Sequence, residues 1–181
     1  MTYFQLFKHS LASLKAVEED VSPLDVEYIM FHAFSLTKET LLCRYHDLIV
    51  DHAALSLFHD LFKKRLDGCP VVYILGYQWF CSHRYSCPEG VLIPRPETEC
   101  LVEAVIDYIK DKNLAKLCVL ECGSGTGVIS IELALRFPDL RVFSWDINEL
   151  AVKTAMKNAR ELNASNVSFF CADFFEPVRA G

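Results

Sequence analysis

Apolar residues recur at helical spacing in the first third of the chain. The second of two such stripes follows a helix start signal made of Ser22, Pro23 and Asp25. The stripes consist of Tyr3, Phe7, Leu11 and Leu14, and of Val26, Ile29, Met30 and Ala33. Because each stripe needs an apolar partner, the pattern predicts helices that pack on one another.

A third helix is predicted from Asp51 to Asp67 and ends at Gly68. Its apolar stripe consists of Leu55, Phe58, Phe62 and Leu66. Its last turn carries the basic residues Lys63, Lys64 and Arg65, which favour the C-terminal end of a helix. We therefore predict a small helical bundle that forms an N-terminal domain of residues 1–75.

Aromatic and β-branched residues separated by glycine and proline fill the stretch from Gly68 to Pro96. This texture predicts strands and turns, with a hairpin near Gln78 to Leu92. We interpret residues 76–96 as a hairpin linker. A helix over Glu97–Lys110 follows, in which the aligned apolar residues are Leu101, Val105 and Ile109.

The rest of the chain alternates short apolar runs with helical patterns. Strands are predicted at 116–121, 141–146 and 167–173, and helices at 128–137 and 149–162. This β-α-β-α-β order is typical of a parallel sheet, the first half of a doubly wound α/β fold. We therefore predict an incomplete, truncated domain over residues 97–181, with three parallel strands in the order 3-2-1 and an unpaired edge on the first strand.

Composition narrows the class of protein. The chain has 181 residues, a net charge of -6 and 52% hydrophobic residues, which favours a folded protein over a disordered one. It contains no apolar run of the roughly 18 residues that span a membrane, and its N-terminus lacks a secretory signal pattern. We expect a cytoplasmic protein with no membrane partner. The acidic balance disfavours a surface that binds nucleic-acid backbones.

Eight cysteines are present, without a C-x-x-C pair or a histidine cluster. This pattern disfavours zinc, so we expect no metal and treat the cysteines as small, mostly buried hydrophobic residues in a reducing compartment. They are Cys43, Cys69, Cys81, Cys87, Cys100, Cys118, Cys122 and Cys171.

The sharpest local signal is the run Glu121-Cys122-Gly123-Ser124-Gly125-Thr126-Gly127, where a predicted strand meets a predicted helix. Glycines at alternate positions make a tight turn and remove side chains, so a ligand can rest against bare backbone N–H groups and the helix N-terminus. The alternative is a tight turn that binds no ligand.

Two acids end the next two predicted strands. Asp146 follows Gly127 by 19 residues, where a carboxylate can accept both hydroxyl hydrogens of a ribose, and Asp173 would lie near an adenine. Taken singly, each could be an exposed strand-end carboxylate. Together with the glycine turn they predict a nucleoside site, because ligands of open α/β sheets lie at the carboxyl ends of the strands.

The residues discriminate among nucleoside ligands. The dinucleotide fingerprint needs a glycine where Val128 stands, and Glu121 would repel a pyrophosphate, so NAD is disfavoured. The lysine of an ATP-binding loop is absent after the glycines. S-adenosylmethionine, with a ribose, an adenine and a cationic amino group instead of phosphates, suits an acidic rim.

At the level of motifs, ECGSGTG, WDIN and CADFF resemble a class I S-adenosylmethionine-dependent methyltransferase. GVLIPRPETECLVE (90–103) and RLDGCPVVYILGYQWF (65–80) are similar to segments of the peptide chain release factor N5-glutamine methyltransferases. The resemblance implies a helical N-terminal domain, a hairpin and a Rossmann-like cofactor-binding sheet. It also implies methylation of the side-chain amide of the glutamine in the Gly-Gly-Gln loop of release factors.

The resemblance also implies residue roles. The turn residues Gly123, Ser124, Gly125, Thr126 and Gly127 would wrap the methionine part of S-adenosylmethionine, with Glu121 just before them. Asp146 would hold the ribose, and Asp173 with Phe174 would border the adenine. The substrate side would be lined by Arg95, Pro96 and Glu97. Alternatively, the prolines only fix the chain before a helix that Glu97 or Thr98 caps, and Arg95 pairs with a carboxylate.

One family feature is absent from this sequence. The family resembles amino-methyltransferases of DNA in holding the substrate amide with an Asn-Pro-Pro-Tyr segment, which the 181 residues do not contain. We therefore assign no catalytic residue and expect this chain to be inactive by itself. We expect a monomer whose partners are release factors, without direct nucleic-acid binding. Two alternatives stay open: a nucleic-acid amino-methyltransferase, and a non-catalytic binding module that acts through its helical bundle.

Overall fold

A computed structural model describes residues 1–18, 20–112 and 117–174. The chain divides into two compact units, Met1–Leu75 and Gly76–Gly181. Of the predicted elements, the first residue of the strand at 116–121 and the end of the domain at 175–181 lie outside the described residues. No helix in the described ranges is long and apolar enough to span a membrane.

The first unit is helical, as predicted. Its helices are α1 (Tyr3–Lys15), α2 (Pro23–Phe34), α3 (Lys38–Cys43), α4 (His52–Leu66) and α5 (Val71–Leu75). The α2 stripe of Val26, Ile29, Met30 and Ala33 is buried, and α1 and α4 add the core residues Tyr3, Leu6, Leu14, Phe58, Leu61 and Phe62. The predicted bundle therefore exists, and α2 contributes its whole apolar face to the core.

Helix α5 corrects the prediction of strands and turns after Gly68. The β-branched run Val71–Leu75 favours a strand by propensity. Instead the carbonyl of Pro70 accepts the N–H groups of Tyr73 and Ile74, which closes a helical turn. Half-buried apolar side chains of this turn pack on the helical core, and this packing outweighs the propensity.

Arg65 does more than occupy the last turn of α4. Its side chain is only 10% exposed, and its guanidinium donates to Asp25 and Glu18 over 2.7 Å each. Asp25 lies in the first turn of α2, and Glu18 follows α1. The side chain thus connects α4 to the first turn of α2 and to the segment just after α1.

The second unit begins with an antiparallel hairpin of β1 (Tyr77–Phe80) and β2 (His83–Ser86). The hairpin starts one residue before the predicted Gln78 and ends six residues before the predicted Leu92. Its two turn residues, Cys81 and Ser82, have φ angles of 45° and 70°. Such values belong to the left-handed region, which asparagine and glycine usually occupy in hairpin turns. The turn is therefore strained relative to a glycine-containing one.

The buried face of helix α6 (Glu97–Asp111) differs in part from the predicted one. Its buried residues are Val102, Ile106 and Ile109, whereas Leu101 is 52% exposed and Val105 is only partly buried. The prediction was right for Ile109 and wrong by one position for Leu101 and Val105, because apolar residues occupy two adjacent helical rows.

The predicted half-sheet is confirmed. Strands β3 (Cys118–Cys122), β4 (Arg141–Asp146) and β5 (Val167–Cys171) are parallel and lie in the order β3-β4-β5, with α7 (Val128–Arg136) and α8 (Glu149–Glu161) between them in sequence. Strand β3 forms an edge of this sheet within the described residues. The carboxyl ends of the three strands therefore lie side by side, which is where the candidate residues fall.

The expectation of mostly buried cysteines was wrong. Only Cys87 is buried, and Cys69 and Cys81 are partly exposed. The exposed cysteines are Cys43, Cys100, Cys118, Cys122 and Cys171. Three of these lie on strands of the parallel sheet, where the alternation of side chains turns Cys118 and Cys122 to the same exposed face.

Candidate functional site

The glycine turn joins β3 to α7, as the sequence predicted. Gly123, Gly125 and Gly127 have φ angles of 84°, 52° and 84°, all in the left-handed region. An added Cβ would meet no atom within 4 Å at Gly123 or Gly125, whereas at Gly127 it would lie 2.9 Å from the Cβ of Ala155. The first two glycines therefore leave open space beside the backbone, and the third allows α7 to approach α8 closely.

The backbone N–H groups of this turn are bound within the protein. The carbonyl of Trp145 on β4 accepts the N–H groups of Gly123 and Ser124 over 2.8 and 2.9 Å, and the carbonyl of Ser124 accepts that of Gly127 over 2.7 Å. The N–H of Gly125 donates to the Asp146 carboxylate over 2.9 Å. The expectation that a ligand rests on bare N–H groups is therefore wrong for these four donors, which hold the shape of the turn instead.

Two hydroxyl groups of the turn have a different status. The side-chain oxygens of Ser124 and Thr126 are buried and have no hydrogen-bond partner among the described residues. These residues are only 4% and 2% exposed. A buried hydroxyl without a partner costs about 1–3 kcal/mol, so such groups mark a place where a polar ligand atom would be stabilising.

Ser124 and Thr126 are among the residues that line a cavity of about 160 Å³. One wall is the segment Leu92–Arg95 with Thr98, and the other contains Glu121 and the turn residues Gly123 to Thr126. We call it the turn cavity. Its lining includes both the glycine turn and Arg95, for which the resemblance implies a substrate-side role.

A second cavity, of about 140 Å³, lies at the carboxyl ends of the strands. We call it the edge cavity; its lining includes Gly123, Asp146, Ile147, Asp173 and Phe174. Gly123 lines both cavities, so they are neighbours. The structure therefore brings together the turn and the two acids that the sequence singled out.

Asp146 is held firmly at the end of β4. Its Oδ2 accepts the N–H of Gly125 and its Oδ1 accepts the N–H of Asn148, each over 2.9 Å. A carboxylate offers about four acceptor positions, so about two remain for other donors. At the end of β5, Asp173 accepts the N–H of Phe174, whose ring is exposed and whose carbonyl accepts the indole N–H of Trp145.

Glu121 lies beneath the turn rather than on an acidic rim. Its carboxylate accepts hydrogen bonds from the fully buried hydroxyls of Ser130 on α7 and, over 2.8 Å, Ser144 on β4. Burial raises the pKa of Glu121, and the charge of Asp146 adds to this, while the two serines oppose it. The residue lines the turn cavity, where its charge would still disfavour a phosphate.

The segment before α6 differs in part from expectation. Pro96 is the N-cap residue, and no side chain caps this helix, so the alternative in which Glu97 or Thr98 caps it is wrong. The carbonyl of Arg95 accepts the N–H of Thr98 instead. Within the part of the chain that the structure describes, Arg95 forms no ion pair, whereas Pro96 and Glu97 begin the helix outside the turn cavity's lining.

Sequence reasoning missed two asparagines that bind this region, Asn148 and Asn158. The Nδ2 group of Asn148 donates to the carbonyl of Gly90, and that of Asn158 donates to the carbonyl of Thr126, each over 2.9 Å. In the sequence, the one signal is that Asn158 falls on the same helical row as Ala151 and Ala155, where an apolar residue is expected. Their partners, however, are backbone groups that no sequence motif identifies.

Two protein families match the chain. The PrmC N-terminal domain matches residues 5–76, and a methyltransferase domain matches residues 113–179. The release factor glutamine methyltransferase of Aliivibrio fischeri is 34% identical over 173 residues, which are 96% of this chain and 60% of that protein. That of Moorella thermoacetica is 33% identical over 180 residues, which are 99% of this chain and 62% of that protein.

The chain thus spans about three fifths of the length of these curated relatives, 60% and 62%. Among solved structures, the precorrin-6y C5,15-methyltransferase of Geobacter metallireducens is similar with a TM-score of 0.40 and 19% identity. That match covers 51% of this chain and 46% of the other.

Proposed function

We propose that the chain belongs to the release factor glutamine methyltransferase family and forms the cofactor-binding part of an enzyme that methylates peptide chain release factors. The proposed methyl donor is S-adenosylmethionine, and the proposed acceptor is the side-chain amide of the glutamine in the Gly-Gly-Gln loop. The supporting observation is the hydrogen bond from the N–H of Gly125 to Asp146, which unites the glycine turn and the strand-end acid in one site.

The donor groups of the site fit this cofactor. The buried hydroxyls of Ser124 and Thr126 would bind polar atoms of the methionine part, above glycines that leave open space. The two acceptor positions that remain on Asp146 would take the two ribose hydroxyls. Asp173 and Phe174, in the edge cavity, would border the adenine. When bound, S-adenosylmethionine supplies the electrophilic methyl group.

The substrate side demands positioning more than acid–base chemistry. An amide nitrogen is a poor nucleophile because its lone pair is delocalised into the carbonyl, so the barrier is lowered by holding the NH2 group in line and by local electrostatics. Of the three proposed substrate-side residues, Arg95 lines the turn cavity. The amide-holding segment of the resemblance is absent from this sequence, and the inactivity of these 181 residues alone remains a prediction.

The proposal extends to the domain organisation, the location and the oligomeric state of the protein. We propose that residues 76–96 act as a linker between a helical domain and the cofactor-binding domain of residues 97–181. We also propose that the protein acts in the cytoplasm as a monomer and does not bind nucleic acid directly.

Cofactor binding is tested by calorimetric titration of the chain with S-adenosylhomocysteine. We expect Asp146→Asn to weaken binding by about 10- to 100-fold, because it removes hydrogen bonds to a charged acceptor worth about 1.5–3 kcal/mol. The matched control is Asp139→Asn, which removes the same charge at an exposed position before the amino end of β4. No binding to the unchanged chain, or equal losses in both variants, would refute the proposed site.

Substrate class is tested by competition. In the presence of S-adenosylhomocysteine, a release factor with an intact Gly-Gly-Gln loop should bind the protein more tightly than one whose loop glutamine is alanine, and duplex DNA should not displace it. Displacement by DNA would favour the nucleic-acid amino-methyltransferase instead. Binding of the release factor through the helical unit alone would favour the non-catalytic module.

A further inference from the structure

Asn148 links the cofactor side of the site to its other wall. It is the N-cap residue of α8, and its Oδ1 accepts the N–H of Leu150 over 3.0 Å. Its Nδ2 donates to the carbonyl of Gly90 over 2.9 Å, 58 residues earlier in the chain. Its own N–H donates to Asp146. One residue thus contacts the strand-end acid and the segment that leads to Arg95.

Asn158 makes a similar link nearer to the other end of α8. The residue is 0% exposed. Its Oδ1 accepts the N–H of Ser86 over 2.8 Å, and its Nδ2 donates to the carbonyls of Ser86 and Thr126 over 3.1 and 2.9 Å. A buried amide is costly unless its groups are bonded. These contacts satisfy both the donor and the acceptor of Asn158.

Helix α8 therefore binds both ends of the segment from Ser86 to Gly90, Gly90 through Asn148 and Ser86 through Asn158. The two asparagines are ten positions apart, which is about 15 Å along a helix. The same segment continues into Leu92–Arg95, one wall of the turn cavity, whereas Thr126 lines the other wall and Asp146 lines the neighbouring edge cavity. The distance between the Leu92–Arg95 wall and the glycine turn thus depends on helix α8, which lies outside the lining of the turn cavity.

We propose that Asn148 and Asn158 are positioning residues, which hold the wall segment Ser86–Arg95 at a fixed distance from the glycine turn and so set the width of the turn cavity. Neither residue needs to touch the ligand for this role. The proposal rests on the proposed function for the identity of the ligand, but the anchoring of the wall can be measured without one.

The decisive variant is Asn148→Ser. Serine is as good an N-cap residue as asparagine, so it retains the bond to Leu150 while it removes the donor to Gly90. Hydrogen–deuterium exchange of the peptide that covers residues 87–93 should rise about 5-fold, the effect of one hydrogen bond of about 1 kcal/mol. The dissociation constant of S-adenosylhomocysteine should rise by a similar factor.

The matched control is Asn166→Ser. The Nδ2 group of Asn166 also donates to backbone carbonyls, those of Phe137 and Leu140, but at the amino end of the sheet. This variant should lower the denaturation midpoint and leave both the exchange of residues 87–93 and the dissociation constant unchanged. A merely structural role of Asn148 would give the same result as the control.

The outcomes separate the two proposals. Unchanged exchange in Asn148→Ser would overturn the anchoring, and increased exchange with an unchanged dissociation constant would overturn the link to cavity width. If the unchanged chain binds no S-adenosylhomocysteine, the proposed function fails, and the exchange of residues 87–93 alone decides whether Asn148 anchors the wall. Increases in both quantities would support the proposal.

Discussion

Replacement of Gly127 by alanine should destabilise the second unit more than any other single change in the glycine turn. An added Cβ would lie 2.9 Å from the Cβ of Ala155, 3.0 Å from Cδ1 of Ile131 and 3.2 Å from Cζ of Phe169. The residue also has a φ angle of 84°. Two costs therefore coincide at one position, a left-handed backbone and overpacking between α7, α8 and β5.

The two costs can be separated with Gly123→Ala. Gly123 has the same φ angle of 84°, but its added Cβ meets nothing within 4 Å. That variant should lose only the backbone term, about 1–2 kcal/mol of unfolding free energy. Gly127→Ala should lose this and a further ~1–3 kcal/mol from overpacking. The difference between the two variants is therefore the steric contribution.

Urea unfolding followed by tryptophan fluorescence measures both variants. The chain has two tryptophans, Trp79 and Trp145, and both lie in the second unit. Trp145 is only 4% exposed, so unfolding changes its surroundings strongly. If Gly127→Ala costs no more than Gly123→Ala, the close approach of the helices does not constrain Gly127, and the reasoning is refuted.

Three further changes test other features. Ser82→Gly should stabilise the hairpin by about 0.5–1 kcal/mol, because glycine relieves the strain of the left-handed φ angle but also gives the unfolded chain more entropy. Ser82→Ala should give no gain in the same urea titration. Arg65→Met should lower the stability of the helical unit by about 2 kcal/mol in circular dichroism melts, because Asp25 and Glu18 lose their cation; no loss would show that the ion pairs contribute nothing. The pKa of Glu121 is raised on folding, so the free energy of unfolding should increase as the pH falls through the folded pKa of this residue. Glu121→Gln should remove that part of the pH dependence, which is measured by urea unfolding at several pH values. An unchanged pH profile would contradict this.

Much of the fold could be predicted because its signals are local. The start of α2 needs only Ser22 and Pro23, since the serine hydroxyl accepts the N–H of Leu24 and the proline lacks the donor that would be unsatisfied. The phase of α6 could not be predicted in this way. Its apolar residues fall in two adjacent rows, so periodicity alone cannot choose between Leu101 and Val102.

Some residues of the candidate site could likewise be predicted from the sequence, and others could not. The glycine turn and Asp146 are visible in the sequence because each stands at a strand end, and parallel strands bring those ends together. The anchors of the site are not visible, because Asn148 and Asn158 bind backbone carbonyls 58 and 72 residues away in sequence. Such a contact depends on the packed fold and leaves no fixed spacing.

Strand β4 supplies the carbonyl of Trp145 to the turn and the carboxylate of Asp146 to Gly125. A loop that depends on a neighbouring strand for its bonds cannot acquire its shape before that strand pairs in register. A slip of one residue would move both partners together and reverse the faces of the strand. We therefore expect the loop and the acid to become ordered in the same step of folding, so that a chain with a correctly formed acid and a misformed loop is not populated.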